Sequence, residues 1–201
     1  MKIVYNHYAP DEVIPVFDFV KNRKFVKYFN RETAAAVVTA ACLLKDMKID
    51  PLMPFYYETG IMESEDLGLD LIAKASCDAS GKFSQQAFAE EGAKAVPPLT
   101  QFKALYNMPL SFVAIEHGLQ GDNAVMYASA SGLLTQALHA PADTNILLGC
   151  GKIFADKSVA SGFALIDKEE IKDSPFLTSP QEAFELFKDW QRSYCQGNYC
   201  Q

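Results

Sequence analysis

The sequence predicts an α/β fold in which helices cover both faces of a mostly parallel, five-stranded sheet. Short and almost uninterrupted apolar runs recur along the chain, and segments with helical spacing separate them. Such runs are typical of strands buried on both faces, which is the arrangement of a parallel sheet with helices on either side. The length of 201 residues fits one domain that buries ~70% of the surface of the unfolded chain.

Five segments have the composition of strands, since they are rich in β-branched, aromatic and small apolar residues. The first alternates apolar and polar residues near the N-terminus. The second follows Pro54 and contains consecutive aromatic side chains. The predicted strands are 2–5, 55–59, 123–128, 144–148 and 159–166.

Helices are predicted between these strands from apolar spacing and from residues that start or stop a helix. Asn30 has the short polar side chain of an N-cap for the first helix, and Pro51 prevents this helix from extending further. Residues 11–19 mix acidic and apolar residues, so a turn and a short helix both remain open. The predicted helices are 34–48, 66–76, 84–94, 99–117 with a break at Pro109, 131–140 and 180–194.

The predicted domain boundary lies near residue 170. After Asp167 the chain is polar and charged as far as residue 175, which is typical of a linker. Residues 1–170 are therefore interpreted as the folded domain. Residues 171–201 are interpreted as a linker followed by a C-terminal helix and tail.

The net charge of −7 argues against a nucleic-acid-binding surface, because neutralising phosphates requires clustered Lys and Arg. One local basic cluster is nevertheless present in the sequence. If an acidic carrier protein docks on this chain, the cluster is where we expect it to bind. Its members are Lys21, Arg23, Lys24, Lys27 and Arg31.

The N-terminus lacks the charged and apolar segments of a signal peptide, so a cytoplasmic location is expected. Residues 124–142 are uncharged and long enough to raise the question of a membrane span. Polar and helix-breaking residues, among them Ser129, Gly132 and Pro141, interrupt this stretch. A buried strand and helix account for it, and no membrane span is predicted.

Five cysteines stand at irregular positions in a chain without a secretory signal, so reduced thiols are expected. Cys195 and Cys200 are close enough in sequence to pair or to bind a metal, but no CxxC or HxxxH motif offers further ligands. The glycines around Gly149 lack the remaining residues of a phosphate-binding loop. Neither a metal nor a cofactor is therefore expected.

Residues 125–132 are the candidate catalytic segment, because an apolar strand runs directly into a turn of small residues and then into a helix. Unpaired N–H groups at the start of a helix favour developing negative charge. Ser129 occupies the tip of the turn and is the candidate nucleophile. A serine hydroxyl needs a base within reach, so His7, His117 or His139 would have to approach it. For His117 a simpler role is that of a cation at a helix C-terminus.

Four short motifs follow one another along the chain. They are Asn107-Met108-Pro109, His117-Gly118-Leu119-Gln120-Gly121, Ala128-Ser129-Ala130-Ser131-Gly132 and residues 145–151. Their order resembles the β-ketoacyl-acyl-carrier-protein synthases. In that family an Asn-Met-containing helix leads to a Gly-Leu-Arg-Gly-Pro turn, a strand, an Ala-Cys-Ser-Ser-Gly nucleophile turn, a helix and a strand that ends in Gly-Gly. The resemblance extends over about residues 28–170.

The resemblance implies one thiolase-like half, because complete members of the family contain two such halves and this length accommodates the first. It also implies that Ser129 replaces the acyl-accepting Cys and that the catalytic histidines of the second half are lacking. The acyl-pocket candidates that the resemblance implies are Tyr106, Asn107, Met108, Tyr127, Ala130 and Gly132.

The resemblance also predicts partners. Complete ketosynthases dimerise through the first half, and an isolated half would expose an apolar surface that a partner should cover. We therefore expect a homodimer or a heteromer with a full-length ketosynthase, and an acyl carrier protein is a further candidate partner.

Hypotheses from different functional classes follow. The first is a ketosynthase-like protein without condensing activity, acting as an accessory or chain-length-factor-like subunit in fatty-acid, polyketide or aryl-polyene-type biosynthesis. The alternative is an acyltransferase or thioesterase that uses Ser129 as its nucleophile. A third is an acyl-chain binding module with an apolar tunnel beside Tyr106 and Met108.

Overall fold

A computed structural model describes residues 1–60, 68–127, 129–141 and 145–197, apart from the side chains of Pro98, Gln101 and residues 194–197. The strands are Lys2–Tyr8 (β1), Phe55–Thr59 (β2), Asn123–Met126 (β3), Ile146–Ile153 (β4) and Val159–Ile166 (β5). The α-helices are Arg31–Leu44 (α1), Leu69–Ala75 (α2), Gln85–Glu90 (α3), Met108–His117 (α4), Ala130–Leu138 (α5), Lys168–Lys172 (α6) and Ala183–Gly197 (α7). Short 3-10 turns occupy Val16–Asp18, Arg23–Tyr28, Gly92–Lys94, Pro98–Ala104 and Pro175–Thr178.

The five strands form one sheet in the order β1-β5-β4-β2-β3. β2 is parallel to both β3 and β4, whereas β5 is antiparallel to both β1 and β4. Four strands therefore share one direction and β5 alone runs against them. The α/β class and the five strands are confirmed, but the sheet is mixed. The reason is local, because only residues 154–158 separate β4 from β5, and so short a connection forms a hairpin rather than a crossover.

The first helix begins where its capping residue predicts. The side chain of Asn30 accepts a hydrogen bond from the backbone N–H of Thr33 at 2.8 Å. Small residues along α1, such as Ala35, Ala36 and Ala40, are completely buried, which lets the helix lie close to the sheet. α1 ends at Leu44, four residues before the predicted end at residue 48.

Two apolar cores lie on opposite faces of the sheet, as predicted for a sheet covered by helices on both sides. On one face, α1 and α4 pack against residues that include Phe55, Tyr57 and Phe163. On the other, α5 and α7 pack against residues that include Tyr56 and Leu148. Alternate side chains of β2 therefore belong to different cores.

The C-terminal helix is part of the second core. Ala183, Leu186 and Phe187 of α7 are fully buried. Gly162 of β5 permits this approach, because a Cβ atom at that position would lie 2.5 Å from the Cβ of Phe187. The domain boundary near residue 170 stays a prediction, but the helix beyond it completes one face of the sheet.

Several boundaries differ from the sequence predictions. Residues 168–172 form α6 instead of a linker, since Asp167 and Glu170 build a reciprocal capping box. The open segment 11–19 contains the 3-10 turn Val16–Asp18, and the predicted helix 99–117 is a 3-10 turn followed by α4. Of the predicted helix 66–76, residues 66 and 67 lie outside the described residues. None of the described helices has the length and apolar character needed to cross a membrane.

Candidate functional site

The candidate site lies at the carboxyl ends of the neighbouring strands β2, β3 and β4. These three strands are mutually parallel, so their carboxyl ends meet on the same side. Tyr127 follows β3 directly and Ser129 precedes α5, while Ala128 between them lies outside the described residues. The described residues on either side of Ala128 thus place a strand before Ser129 and a helix directly after it.

The hydroxyl of Ser129 takes part in the start of the helix. Ser129 is the N-cap of α5, and its Oγ accepts a long hydrogen bond of 3.4 Å from the backbone N–H of Gly132. The same Oγ lies 2.7 Å from the Oγ of Ser131. A side chain that caps a helix in this way has a structural role that requires no catalysis.

The first backbone N–H of α5 is also occupied. The amide of Ala130 donates a hydrogen bond of 2.7 Å to the carbonyl oxygen of Gln181. Ser129 and Glu182 form an isolated antiparallel bridge. The segment before α7 therefore lies across the turn and uses the amide that would otherwise be available to a developing oxyanion.

The three histidines are placed away from the turn. The ring of His7 packs against Phe154 with centroids 6.1 Å apart, and the exposed His139 ends α5 at the end opposite Ser129. His117 is the last residue of α4. Among the contacts recorded for the described residues, none joins a histidine to Ser129. Within the described residues, no imidazole therefore contacts Ser129 as the base that an active serine would need.

His117 does not act as a helix-capping cation. Burial, together with the nearby charge of Lys21, lowers the pKa of His117 to about 4, so its imidazole is neutral at pH 7. Within the described chain its buried Nε2 has no hydrogen-bond partner. The helix is ended instead by Gly118, which adopts a left-handed conformation with φ of 70° and donates its N–H to the carbonyl of Ala114.

The six acyl-pocket candidates do not all lie on the same face of the sheet. Tyr106 and Tyr127 are exposed and their rings lie 6.3 Å apart. Ala130 is completely buried in the core beneath α5, whereas Met108 belongs to the core on the opposite face. The remaining two are Asn107, the N-cap residue of α4, and Gly132, whose amide contacts Ser129. Their assignment to one acyl pocket stays a prediction, and Met108 lies apart from the residues of the turn.

An ion pair between a buried lysine and a partly exposed glutamate, which could not be foreseen from the sequence, lies beside the turn. Lys152 of β4 places its Nζ 2.9 and 2.7 Å from the two carboxylate oxygens of Glu182. The rings of Phe154 and Phe184 each have their centroid 5.4 Å from the same ammonium group. The lysine side chain is nearly inaccessible, and these neighbours stabilise its positive charge.

Glu58 is a second unexpected group at this end of the sheet. It lies on β2, is only 3% exposed, and its pKa is raised to about 8. The largest cause is burial, followed by the negative charges of Glu32 and Glu182, while Lys152 opposes the shift. The Glu58 carboxyl therefore titrates near neutral pH, within the range useful for proton transfer.

On the opposite face of β2, Glu32 of α1 is also buried. It accepts hydrogen bonds from the hydroxyls of Tyr57 at 3.0 Å and Thr59 at 3.1 Å. Burial first, and then the charge of Glu32, raise the pKa of Tyr57 well above its usual value. Tyr57 therefore remains a proton donor to this carboxylate, and the contact joins α1 to the end of β2.

Cys42, Cys77 and Cys150 have free thiols, and Cys150 is buried in β4. The side chains of Cys195 and Cys200 lie outside the described residues. Within the described ranges, no group of three or more His, Cys, Asp or Glu side chains could hold a metal ion. In the basic cluster, Arg31 donates to the carbonyl of Ala9 at 2.8 Å.

The strand order and the two helical layers define an α/β fold with a mixed five-stranded sheet between helices. A solved structure titled "The ishigamide ketosynthase/chain length factor" is similar to this chain, with a TM-score of 0.53 and 18% sequence identity. The similarity extends over 81% of this chain and 50% of that chain, so this chain spans about half of the other's length. No family model matches the sequence, and no curated protein matches it. The predicted fold is thus confirmed.

Proposed function

We propose that this protein is a ketosynthase-like protein without condensing activity, an accessory subunit of the chain-length-factor type in fatty-acid, polyketide or aryl-polyene-type biosynthesis. One observation carries this proposal. The turn that would present a nucleophile holds Ser129 as a helix cap, and the adjacent Ala130 amide is already bonded to Gln181. The Ser129 hydroxyl and the Ala130 amide are thus both engaged in contacts that stabilise the fold, which supports a role without catalysis.

The chemistry of serine supports the same proposal. A hydroxyl is a weak nucleophile unless a base removes its proton, whereas a thiol has a much lower pKa and needs less assistance. The described histidines lie elsewhere, and the nearby Lys152 is engaged with Glu182. Condensation would require an acyl-enzyme intermediate, which this arrangement does not favour.

We propose a full-length ketosynthase as the partner, with a homodimer as the alternative assembly. The solved structure whose fold is similar is described as a ketosynthase/chain length factor, which supports a heteromer of this kind. Tyr106 and Tyr127 offer an exposed aromatic pair at the candidate site. The basic cluster around Lys21 remains our candidate surface for an acyl carrier protein.

One observation favours the alternative function, acyl transfer or thioester hydrolysis at Ser129. Glu58 is the penultimate residue of β2, near the same end of the sheet, and a carboxyl with a pKa of about 8 is suited to accept a proton near neutral pH. This alternative requires that Gln181 release the amide of Ala130, because an oxyanion needs a free donor.

Intact-mass spectrometry tests the two functions. The purified chain is incubated with acyl-CoA and with acyl carrier protein, in parallel with Ser129→Ala and Ser129→Cys variants. We expect no acyl adduct on the wild-type chain and no elongation of malonyl-primed substrates. An adduct that forms on the wild type and is lost in Ser129→Ala would establish the alternative and overturn the proposal.

A reconstitution with a defined ketosynthase tests the accessory role. Co-expression should give a complex of fixed stoichiometry in size-exclusion chromatography, and the chain length of the products should change when this subunit is present. The Ser129→Ala variant serves as the matched control and should retain the effect, because the proposal assigns no chemistry to that hydroxyl. Loss of the effect in Ser129→Ala would contradict the proposal.

A further inference from the structure

Residues 179–182, here called the strap, connect the 3-10 turn Pro175–Thr178 to α7. The strap contacts the nucleophile turn through the bond from the Ala130 amide to Gln181 and through the bridge between Ser129 and Glu182. A net contribution of about 1 kcal/mol is typical of one such hydrogen bond. Backbone pairing alone therefore contributes only modestly to holding the strap against the turn.

The side chain of Glu182 supplies the stronger attachment. Its carboxylate binds Lys152 through both oxygens, and the two side chains differ in accessibility, with 9% of Lys152 and 39% of Glu182 exposed. The lysine ammonium is thus nearly buried, and the strap contributes one carboxylate that binds it. Withdrawal of the strap would remove the carboxylate from a buried ammonium group.

The aromatic contacts reinforce this attachment at one end of the strap. Phe184 lies two residues after Glu182, and its ring meets that of Phe154 edge to face at 5.3 Å. Beyond it, Leu186 and Phe187 are fully buried in the core. α7 is therefore anchored independently, and the strap is the part of this region that can move without unpacking the helix.

We infer that the strap is a releasable cover over the nucleophile turn, latched by the ion pair between Lys152 and Glu182. In the closed state the backbone carbonyl of Gln181 in the strap accepts the hydrogen bond of the Ala130 amide. In the open state this amide is available to the carbonyl oxygen of an acyl group. The inference rests on the proposed function, because it treats the turn as the acyl-facing end of the scaffold.

Amide hydrogen exchange of the full-length chain tests the latch directly. Glu182→Gln keeps the shape of the side chain and removes its charge. We expect exchange of the Ala130 amide to become at least tenfold faster, with the amides of Leu148 and Phe163 in the central strands unchanged. The matched control is Glu169→Gln, which removes the same charge from an exposed pair with Lys172 and should leave Ala130 unaffected. Unchanged exchange at Ala130 in Glu182→Gln would overturn the latch.

Thiol labelling gives a second and independent measurement. In a Ser129→Cys background, N-ethylmaleimide modification is followed at each cysteine by peptide mass spectrometry. We expect Cys77, which is exposed, to react quickly, and the new thiol to react at least tenfold more slowly until Glu182→Gln is added. Buried Cys150 reports unfolding and should stay unmodified. Equal labelling at position 129 with and without Glu182→Gln would overturn the latch.

If Glu182→Gln unfolds the chain, labelling of Cys150 will reveal it, and Glu182→Asp then replaces it. This variant keeps the charge and shortens the side chain, so the Ala130 amide should show an intermediate increase in exchange. No change with Glu182→Asp in a folded chain would overturn the latch. Neither readout uses an acyl donor, so a failed latch and a failed accessory function are distinguished by separate experiments.

Discussion

The hydroxyl of Tyr57 donates a hydrogen bond of 3.0 Å to the Oε1 atom of Glu32, and this contact lies directly against Gly151. A Cβ atom at residue 151 would lie 2.2 Å from the Tyr57 hydroxyl oxygen and 2.7 Å from the Cγ of Glu32. Glu32 is 2% exposed, so its carboxylate depends on such donors. The glycine thus allows α1, β2 and β4 to meet around a buried acid.

Gly151→Ala should destabilise the protein by roughly 2–4 kcal/mol, because the added methyl group displaces either the hydroxyl of Tyr57 or the side chain of Glu32. Urea denaturation measures the change. Tyr57→Phe alone should cost about 1–2 kcal/mol. The double variant should lose less stability than the two single variants together, because Tyr57→Phe removes the hydroxyl that the new methyl group would displace. Strictly additive costs would show that the two residues do not compete for this space.

Glu58→Gln should flatten the pH dependence of stability. The folded pKa of about 8 lies above the ordinary value of 4.5, so between these values the folded chain keeps a proton that the unfolded chain releases. Stability contributed by this group therefore falls as pH rises from 4.5 to 8, by at most about 5 kcal/mol. Glutamine does not ionise, so its burial has no such cost. The free energy of unfolding of the variant should exceed that of the wild type at pH 8.5 and should be similar to it near pH 5.

Denaturation midpoints between pH 5 and pH 9 check this expectation. The matched control is Glu90→Gln, which makes the same change on the exposed face of α3 and should run parallel to the wild type. Parallel curves for Glu58→Gln and the wild type would mean that Glu58 ionises normally in the folded protein.

His117 should make the fold sensitive to acid. Its pKa of about 4 lies below the ordinary value of 6.5, so the unfolded chain binds a proton at a pH where the folded chain does not. Stability contributed by the neutral imidazole is present above pH 6.5 and is lost as pH falls towards 4, by at most about 3 kcal/mol. His117→Phe should lose less stability between pH 6.5 and pH 4.5 than the wild type. His139→Phe, at an exposed site, should keep the wild-type pH dependence.

The positions of the strands and of the first helix could be predicted because their signals are local. β2 and β5 occupy 55–59 and 159–166, as their apolar composition predicts. Asn30 caps α1 through the N–H three residues further on, which is the pattern visible in the sequence. Such features depend on neighbours within a few residues, so no knowledge of the fold is needed to find them.

One local signal was present and was missed. Asp167 and Glu170 have the spacing of a capping box, but the high charge of the following residues led to the prediction of a linker. The end of β4 was also placed too early, since the strand passes through Gly149 and Gly151 and ends at Ile153. Glycine usually weakens a strand, but here it makes room for the rings of Tyr57 and Phe163.

The charged groups of the site could not be predicted from local patterns. Lys152 and Glu182 are separated by 30 residues and meet only because α7 folds back onto the sheet. Glu58 is a single acidic residue in an apolar strand, and its pKa depends on groups brought together by three other elements. The position of Ser129 was predictable as a turn, but its use as a cap and the occupied amide beside it depend on the strap.

Gly162→Ala should loosen the packing of α7 on the sheet. The new methyl carbon would lie within 2.5 Å of the Phe187 Cβ atom, and this atom cannot move without shifting the helix backbone. Trp190, the only tryptophan, packs edge to face on Phe187 at 5.4 Å, so displacement of the helix should expose its indole and shift its emission to longer wavelength. Gly149→Ala is the matched control, because its methyl group would meet Tyr57 and Phe163 in the core on the other face. The control should lower stability and leave the tryptophan emission of the folded protein unchanged. An unchanged emission in Gly162→Ala would contradict the close packing of α7 on β5.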